Sequence, residues 1–87
     1  MTEQGKGRVM HDDGFVSTVR YEITSYREFS PSGAPTFIRM KLNLFDRSPE
    51  IPLSETAFTL ELEDGRTLNF YVRSRGVYEP TGGIKGT

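Results

Sequence analysis

The strongest constraint on the fold lies in residues 56–74, where two apolar sets flank the turn sequence Asp64-Gly65. In each set the apolar residues occupy every second position, which is the periodicity of a strand with one buried face. The sets are Phe58, Leu60 and Leu62 before the turn, and Leu68, Phe70 and Val72 after it. An Asp-Gly pair between such runs is typical of a β-hairpin. The segment therefore predicts two antiparallel strands that share a core face.

The length of the hairpin loop follows from the same pattern. A two-residue loop would set Leu60 opposite Asn69 and so mix core with surface positions. A three-residue loop, residues 63–65, sets Leu60 opposite Leu68 instead. We therefore predict the three-residue loop with a positive φ at Gly65, where alanine would cost about 1 kcal/mol or more.

Residues 36–45 form the clearest single strand. Alternate positions fall into two sets: Ile38, Met40, Leu42 and Leu44 on one face, and Phe37, Arg39, Lys41, Asn43 and Phe45 on the other. The first set is entirely apolar and the second is mixed. One buried face and one exposed face predict an antiparallel sheet.

Residues 15–29 predict a longer strand, whose buried face carries Phe15, Val19, Tyr21 and Ile23. The alternation weakens near Ser25, so we expect a bulge or a sharp bend at that residue. The turn sequence at residues 12–14 has the same form as the hairpin loop. It predicts a connection to a short first strand over residues 8–11.

Two loops that contain prolines and a short last strand complete the pattern. Residues 30–35 predict a turn, and residues 46–55 predict a longer loop in which Ile51 and Leu53 cover an open end of the core. Residues 77–78 predict the start of a final short strand.

These elements predict one all-β domain. Its expected architecture is a small antiparallel meander of five to six strands, closed or partly closed into a barrel, because closure limits exposed sheet edges. A two-layer β-sandwich is the alternative. We assign residues 1–7 to a flexible N-terminus, residues 8–79 to the β domain and residues 80–87 to a flexible C-terminal tail.

The composition excludes several kinds of chemistry. The chain has no cysteine, which excludes disulfides, thiolate-bound metals and thiol nucleophiles. It has no apolar run near the roughly 20 residues that a bilayer-spanning helix needs. We therefore expect no membrane partner and a cytoplasmic location. A net charge of −1 provides no general attraction to nucleic acid.

The titratable groups form no evident catalytic constellation. His11 is the one histidine and stands beside Asp12 and Asp13, where a solvated turn is favoured over an acid–base or metal site. Glu61 and Glu63 lie about 7 Å apart on the polar face of a strand, which favours solvated charges. We therefore predict no catalysis, no metal site, no cofactor and no small-molecule ligand.

The best candidate for a binding surface is the outward face of two strands. It combines aromatic rings with cations: Phe37, Arg39, Lys41 and Phe45 on one strand, and Tyr71, Arg73 and Arg75 on the other. Barrels that bind single-stranded nucleic acid use this combination. In the ordinary alternative the cations pair with glutamates on the same face, namely Glu22, Glu28 and Glu61. Each such pair is worth about 0.2–1 kcal/mol.

Large aromatic side chains that point away from the core favour a protein partner. They are Tyr26, Phe37, Phe45 and Tyr71. If they lie together, they form an apolar interaction patch. We therefore expect a non-enzymatic protein-binding or assembly module, whose partner is itself or another protein. The alternative is a barrel that binds single-stranded nucleic acid.

Overall fold

The computed structural model describes residues 1–12, 14–29, 31–33, 35–53 and 57–86, with side chains except at residues 28, 29 and 35–38. The described residues contain six strands and no helix. The strands are β1 (Thr2–His11), β2 (Gly14–Phe29), β3 (Pro35–Ser48), β4 (Phe58–Glu61), β5 (Thr67–Ser74) and β6 (Val77–Pro80). Among these residues there is accordingly no helix that could cross a bilayer.

The six strands close into an antiparallel barrel in the order β1-β2-β3-β6-β5-β4. The expected fold class is confirmed. The order departs from a continuous meander at one point, because the chain passes from β3 to a strand that pairs with β1. The barrel is thus two three-stranded meanders, β1–β2–β3 and β4–β5–β6, joined along β1–β4 and β3–β6. This arrangement closes the sheet without a sandwich of two layers.

The β4–β5 hairpin has the register that the apolar pattern predicts. Leu60 pairs with Leu68, and Phe58 pairs with Phe70. The loop closes with a hydrogen bond of 2.7 Å from the N–H of Leu62 to the carbonyl of Arg66, which leaves residues 63–65 as the three-residue loop. Both strands therefore direct their apolar sets into the barrel, where the rings of Phe58 and Phe70 stack at 5.9 Å.

The predicted positive φ at Gly65 is confirmed at 93°. This backbone conformation penalises a Cβ, because the Cβ approaches the neighbouring backbone. No atom outside the loop stands near the position of the missing Cβ. Glycine is therefore required at this position by the backbone conformation of the turn and not by packing against other residues.

The core consists of the inward residues of all six strands and two loop residues, Ile51 and Leu62. The buried apolar residues are Val9, Val19, Tyr21, Ile23, Leu42, Leu44, Ile51, Phe58, Leu60, Leu62, Leu68, Phe70, Val72 and Tyr78. Ile51 closes one end of the barrel, as the sequence predicts, but Leu53 is 63% exposed. The expectation that Leu53 also covers the core is wrong, because the chain has already turned outward there.

The first strand is longer than the sequence predicts, because it begins at Thr2 instead of Arg8. The residues assigned to a flexible N-terminus pair with β2 from Thr2–Thr24 onwards. The segment lacks an apolar pattern because its inward positions are Gly5 and Gly7. A Cβ at Gly5 would lie 2.5 Å from the hydroxyl oxygen of Tyr21, and one at Gly7 would lie 2.5 Å from the Glu61 carbonyl. The large residues on neighbouring strands fill the space that these glycines leave.

The irregularities of the sheet lie away from Ser25, which pairs regularly with Met40. The expected bulge at Ser25 is therefore wrong. One bulge instead falls between Val9 and Met10 on β1, opposite an extra residue, Val16, on β2. Ser17 stays buried in phase with Val19, but the extra residue turns Phe15 outward, so the expected core position of Phe15 is wrong.

Another register shift lies in β3, where Asp46 has a φ of 52°. β3 consequently continues through this bulge to Ser48, although the sequence predicts a loop from residue 46. Ser17 on β2 contacts the chain just after β3 ends, since its hydroxyl donates to the carbonyl of Pro49 at 2.5 Å. The bulge thus lets one strand turn into the loop that closes the barrel end.

The predicted last strand at residues 77–78 is confirmed as β6. The following segment, assigned to a flexible tail, returns to the sheet. Lys85 and Thr67 exchange two backbone hydrogen bonds of 2.7 and 2.8 Å, and Ile84 packs against the core. Residues 81–86 are therefore held against β5, and Thr87 lies outside the described residues.

We predict that Gly65→Ala lowers the free energy of unfolding by about 1 kcal/mol or more, because alanine is strained at this φ. Gly65→Asn should lose less, since asparagine tolerates the left-handed region better. Urea unfolding of both variants measures the difference. Equal losses for alanine and asparagine would contradict the assigned turn.

We also predict that Gly7→Ala lowers the free energy of unfolding by about 1–3 kcal/mol, because its Cβ would overlap the backbone of β4. Gly82→Ala is the matched control, because nothing stands within 4 Å of that Cβ position. The control should stay within about 0.5 kcal/mol of the wild type. If both variants unfold at the same urea concentration, β1 does not approach β4 as described.

Candidate interaction surface

The most distinctive surface feature is a two-stranded arm, which we define as residues 25–41. β1 accompanies β2 only as far as Thr24, after which Met1 and Ser25 exchange two backbone hydrogen bonds of 2.8 Å. On the other side, β3 pairs with β6 at Leu42. Beyond these points the ladder pairs described for β2 and β3 join only these two strands, as far as Phe29 and Pro35. The arm lengthens the molecule to 45 Å, against 26 and 22 Å in the other directions.

The predicted site residues of β3 lie on its outward side. Arg39 and Lys41 are exposed on the arm, and Phe45 is 48% exposed on the barrel wall. The side chain of Phe37 lies outside the described part of the chain, although its backbone pairs with that of Glu28. The strand periodicity thus correctly predicts that Arg39, Lys41 and Phe45 face outward.

The predicted site residues of β5 are separated from β3 by β6. The register places Glu79 beside Lys41 on one side and opposite Tyr71 on the other. Two strand spacings set Lys41 and Tyr71 about 10 Å apart. Tyr71 is half-buried and Arg73 is exposed. The two predicted halves of the surface are therefore near each other, but an acidic residue lies between them.

Arg73 is engaged within its own cluster. Its Nε donates to Oε2 of Glu79 at 2.5 Å, and its guanidinium lies 5.5 Å from the centre of the Tyr71 ring. This hydrogen bond and the opposite charge hold the pKa of Glu79 below its ordinary value and raise that of Arg73. A cross-strand ion pair was the ordinary alternative for Arg73, but its partner is Glu79 and not Glu61, which accepts from Arg8.

Phe45 belongs to a different part of the wall. It pairs with Arg20 on β2 and, with Lys6 on β1, lines a depression of about 410 Å³. Arg20 donates to Asp46 at 3.3 Å, with both side chains largely exposed. The depression thus joins one exposed ring to two cations, but Glu22 and Glu63 also line it and Arg20 already has an acidic partner.

Arg75 lies at the opposite end of the barrel from the arm, in the turn between β5 and β6. It lines a groove of about 240 Å³ together with Ile51, Leu53 and Tyr78. Arg47 reaches into this region, where its guanidinium lies 5.8 Å from the ring centre of Tyr78. Burial raises the pKa of the Tyr78 hydroxyl. Arg75 is therefore not part of a surface shared with Arg39 and Lys41.

The exposed apolar residues are more widely spread than the sequence predicts. Tyr26 is 39% exposed on the arm, away from Phe45. Phe15 is 54% exposed at the other end, because the Val16 bulge turns it outward. The predicted aromatic residues therefore do not form one described patch. The signal that could have found the arm is strand length, since 16 and 14 residues far exceed the usual five or six.

Charge is also unevenly distributed along the chain. Residues 25–41 contain three cations, Arg27, Arg39 and Lys41, and one acid, Glu28, so the arm carries +2. The whole chain carries −1, which leaves −3 on the remainder. A basic arm on an acidic barrel attracts acidic groups preferentially to the arm.

No metal-binding group is evident in the part of the chain that the structure describes, where no three histidine or carboxylate side chains cluster. The ring of His11 lies 5.5 Å from that of Phe58 at the barrel end. The absence of catalysis and of cofactors stays a prediction.

Comparisons with known proteins do not assign the chain to a family. No family model, no curated protein and no solved structure matches it. Its function is therefore argued from the geometry and charge of its own residues.

We predict that the Arg73→Gln variant raises the pKa of Glu79 towards its ordinary value. In the wild type the folded pKa is depressed. The ion pair therefore stabilises the fold above the pKa of the unfolded glutamate, and this effect is lost as the pH falls through the folded pKa. NMR titration of the Glu79 carboxyl carbon measures the change. Arg75→Gln, which removes a cation outside the pair, should leave the midpoint in place. Identical midpoints in wild type and Arg73→Gln would exclude the ion pair in solution.

Proposed function

We propose that this protein is a non-catalytic protein-binding module that engages its partner through the arm. The supporting observation is that β2 and β3 leave the barrel together and pair only with each other in the described part of the arm. Such a ribbon presents two faces and two strand edges to solvent. A barrel of this size needs no arm for its core, so the extra strand length suits a binding role.

The chemistry of the arm supports a protein partner. Tyr26 offers a half-exposed ring, while Arg27 and Lys41 offer exposed cations. Tyrosine and arginine are enriched at protein interfaces, because they combine apolar area with polar groups. The arm therefore combines the side chains of an interface with an accessible backbone.

A second candidate is binding of single-stranded nucleic acid on the barrel wall. The observation that favours it is the exposed ring of Phe45 beside Lys6 and Arg20. Rings of this kind stack on bases, and neighbouring cations hold phosphates. Asp46 weakens this candidate, because it accepts a hydrogen bond from Arg20 and partly neutralises its positive charge. We rank it second.

A photo-crosslinking amino acid at position 26 tests the proposed function in the cells that naturally make this chain. We expect covalent adducts with protein from position 26 and few from position 15, a more exposed aromatic site at the far end of the barrel. Adducts would be identified by mass spectrometry after gel separation.

The same probe at position 45 separates the two candidates. Nuclease-sensitive adducts at position 45, with none at position 26, would overturn the protein-binding proposal in favour of nucleic acid. Equal protein adducts at positions 15 and 26 would also overturn it, since the arm would then have no preference over the rest of the surface.

A further inference from the structure

The arm carries a strand edge that faces away from the barrel's own ladder. Between Pro35 and Arg39, the ladder pairs that the structure describes for β3 are all with β2, whereas the pairing of Leu42 with Tyr78 sets Met40 and Lys41 beside Pro80 and Glu79 of β6. In an antiparallel ladder, alternate residues direct their N–H and C=O groups to opposite sides. Every second residue of this stretch therefore directs its backbone groups away from β2. We call this stretch, residues 35–39, the β3 edge.

The β3 edge is long enough to hold another strand. It spans five residues, which is a typical strand length. The matching edge on β2 runs only from Tyr26 to Phe29, because the backbone groups of Ser25 are hydrogen-bonded to Met1. Pro35 lacks an N–H group, but it lies at the very start of the edge. The β3 edge is therefore the better of the two for strand addition.

Charge selects the occupant of the edge. Lys41 is exposed on the outward side of β3, and Arg27 is exposed on the other face of the arm. Like charges opposite each other destabilise strand pairing, and opposite charges stabilise it. Because the arm carries +2, a second arm would be repelled and an acidic strand would be attracted.

The backbone argues for a peptide over a nucleic acid at this edge. A phosphate backbone offers acceptors for the edge N–H groups but no donors for the edge carbonyls. An extended peptide offers both along its whole length, which is the basis of recognition by strand addition.

We propose that the β3 edge binds an extended acidic segment of another protein as an added strand. Carboxylates of that segment face the outward side of β3, on which Lys41 lies exposed at the end of the edge. The proposal rests on the proposed function, because it specifies how the arm would recognise its protein partner.

The test uses the full chain labelled with ¹⁵N and four probes. The first is a seven-residue capped peptide that alternates glutamate with valine and threonine. The second carries lysine in place of glutamate, and the third carries backbone N-methyl groups at the alternate positions that would face β3. The fourth is an oligothymidine. Amide chemical shifts and hydrogen exchange report where each probe binds.

We expect the acidic peptide to shift the amides of residues 35–42 and to slow exchange at alternate amides of the β3 edge. N-methylation should weaken binding about tenfold or more, because it removes ladder hydrogen bonds. The lysine peptide should not bind. Lys41→Glu should weaken binding of the acidic peptide about fivefold, because an acid at the end of the edge repels the peptide where a cation attracted it. Arg75→Glu makes the same charge change at the opposite end of the barrel from the arm and should alter binding less than about twofold.

Several results would overturn the proposal. Equal binding of the methylated and unmethylated peptides would show attachment by charge without strand addition. Shifts of the β3 edge by oligothymidine alone would assign the arm to nucleic acid. Line broadening that depends on protein concentration, without any probe, would assign it to a second copy. If Lys41→Glu does not fold, the comparison of methylated and unmethylated peptides on the wild type still decides.

Failure of this proposal is distinguishable from failure of the proposed function. If position 26 yields protein adducts in cells but the acidic peptide does not bind, the arm binds protein in another way and only the strand-addition proposal fails. If neither occurs, both fail.

Discussion

The barrel depends on the close approach of β1 to its two neighbours. β1 pairs with β2 and β4, and so joins the two meanders. Gly5 and Gly7 make this possible, because the ring of Tyr21 and the backbone of β4 occupy the space of their missing side chains. In a barrel this small, large inward residues on one strand require small ones on the next. Tyr21 secures the arrangement, since its hydroxyl accepts the N–H of Glu63 from the β4–β5 loop at 3.3 Å.

The arm follows from a mismatch in strand length. β2 and β3 have 16 and 14 residues, whereas β4 and β6 have four each. Short strands can cover only part of the long hairpin, so its distal half extends past the barrel. The second junction between the meanders, β3–β6, is correspondingly short and pairs Leu42 with Tyr78. Next to this junction, Arg47 donates a hydrogen bond to the carbonyl of Leu44, which satisfies a backbone acceptor of β3.

The sequence predicts which side chains of the candidate surface face solvent, but it does not predict which of them lie next to each other. Alternation alone sets Arg39, Lys41 and Arg73 on the solvent side, and they are exposed there. It contains no information on which strands are neighbours, so it could not place Glu79 between β3 and β5. It also could not anticipate the bulge at Val16, because Phe15 and Val16 are both apolar and either one fits the inward position.

What the sequence determined by itself is the local part of this fold. Alternation and turn chemistry act over a few residues, and they fix the β4–β5 register, the positive φ of Gly65 and most of the core. Tertiary structure alone decided the rest. The inclusion of residues 2–7 in β1, the outward position of Phe15 and the projection of the arm each depend on what another strand presents at that point. Those contacts join residues far apart in sequence, so no local pattern encodes them.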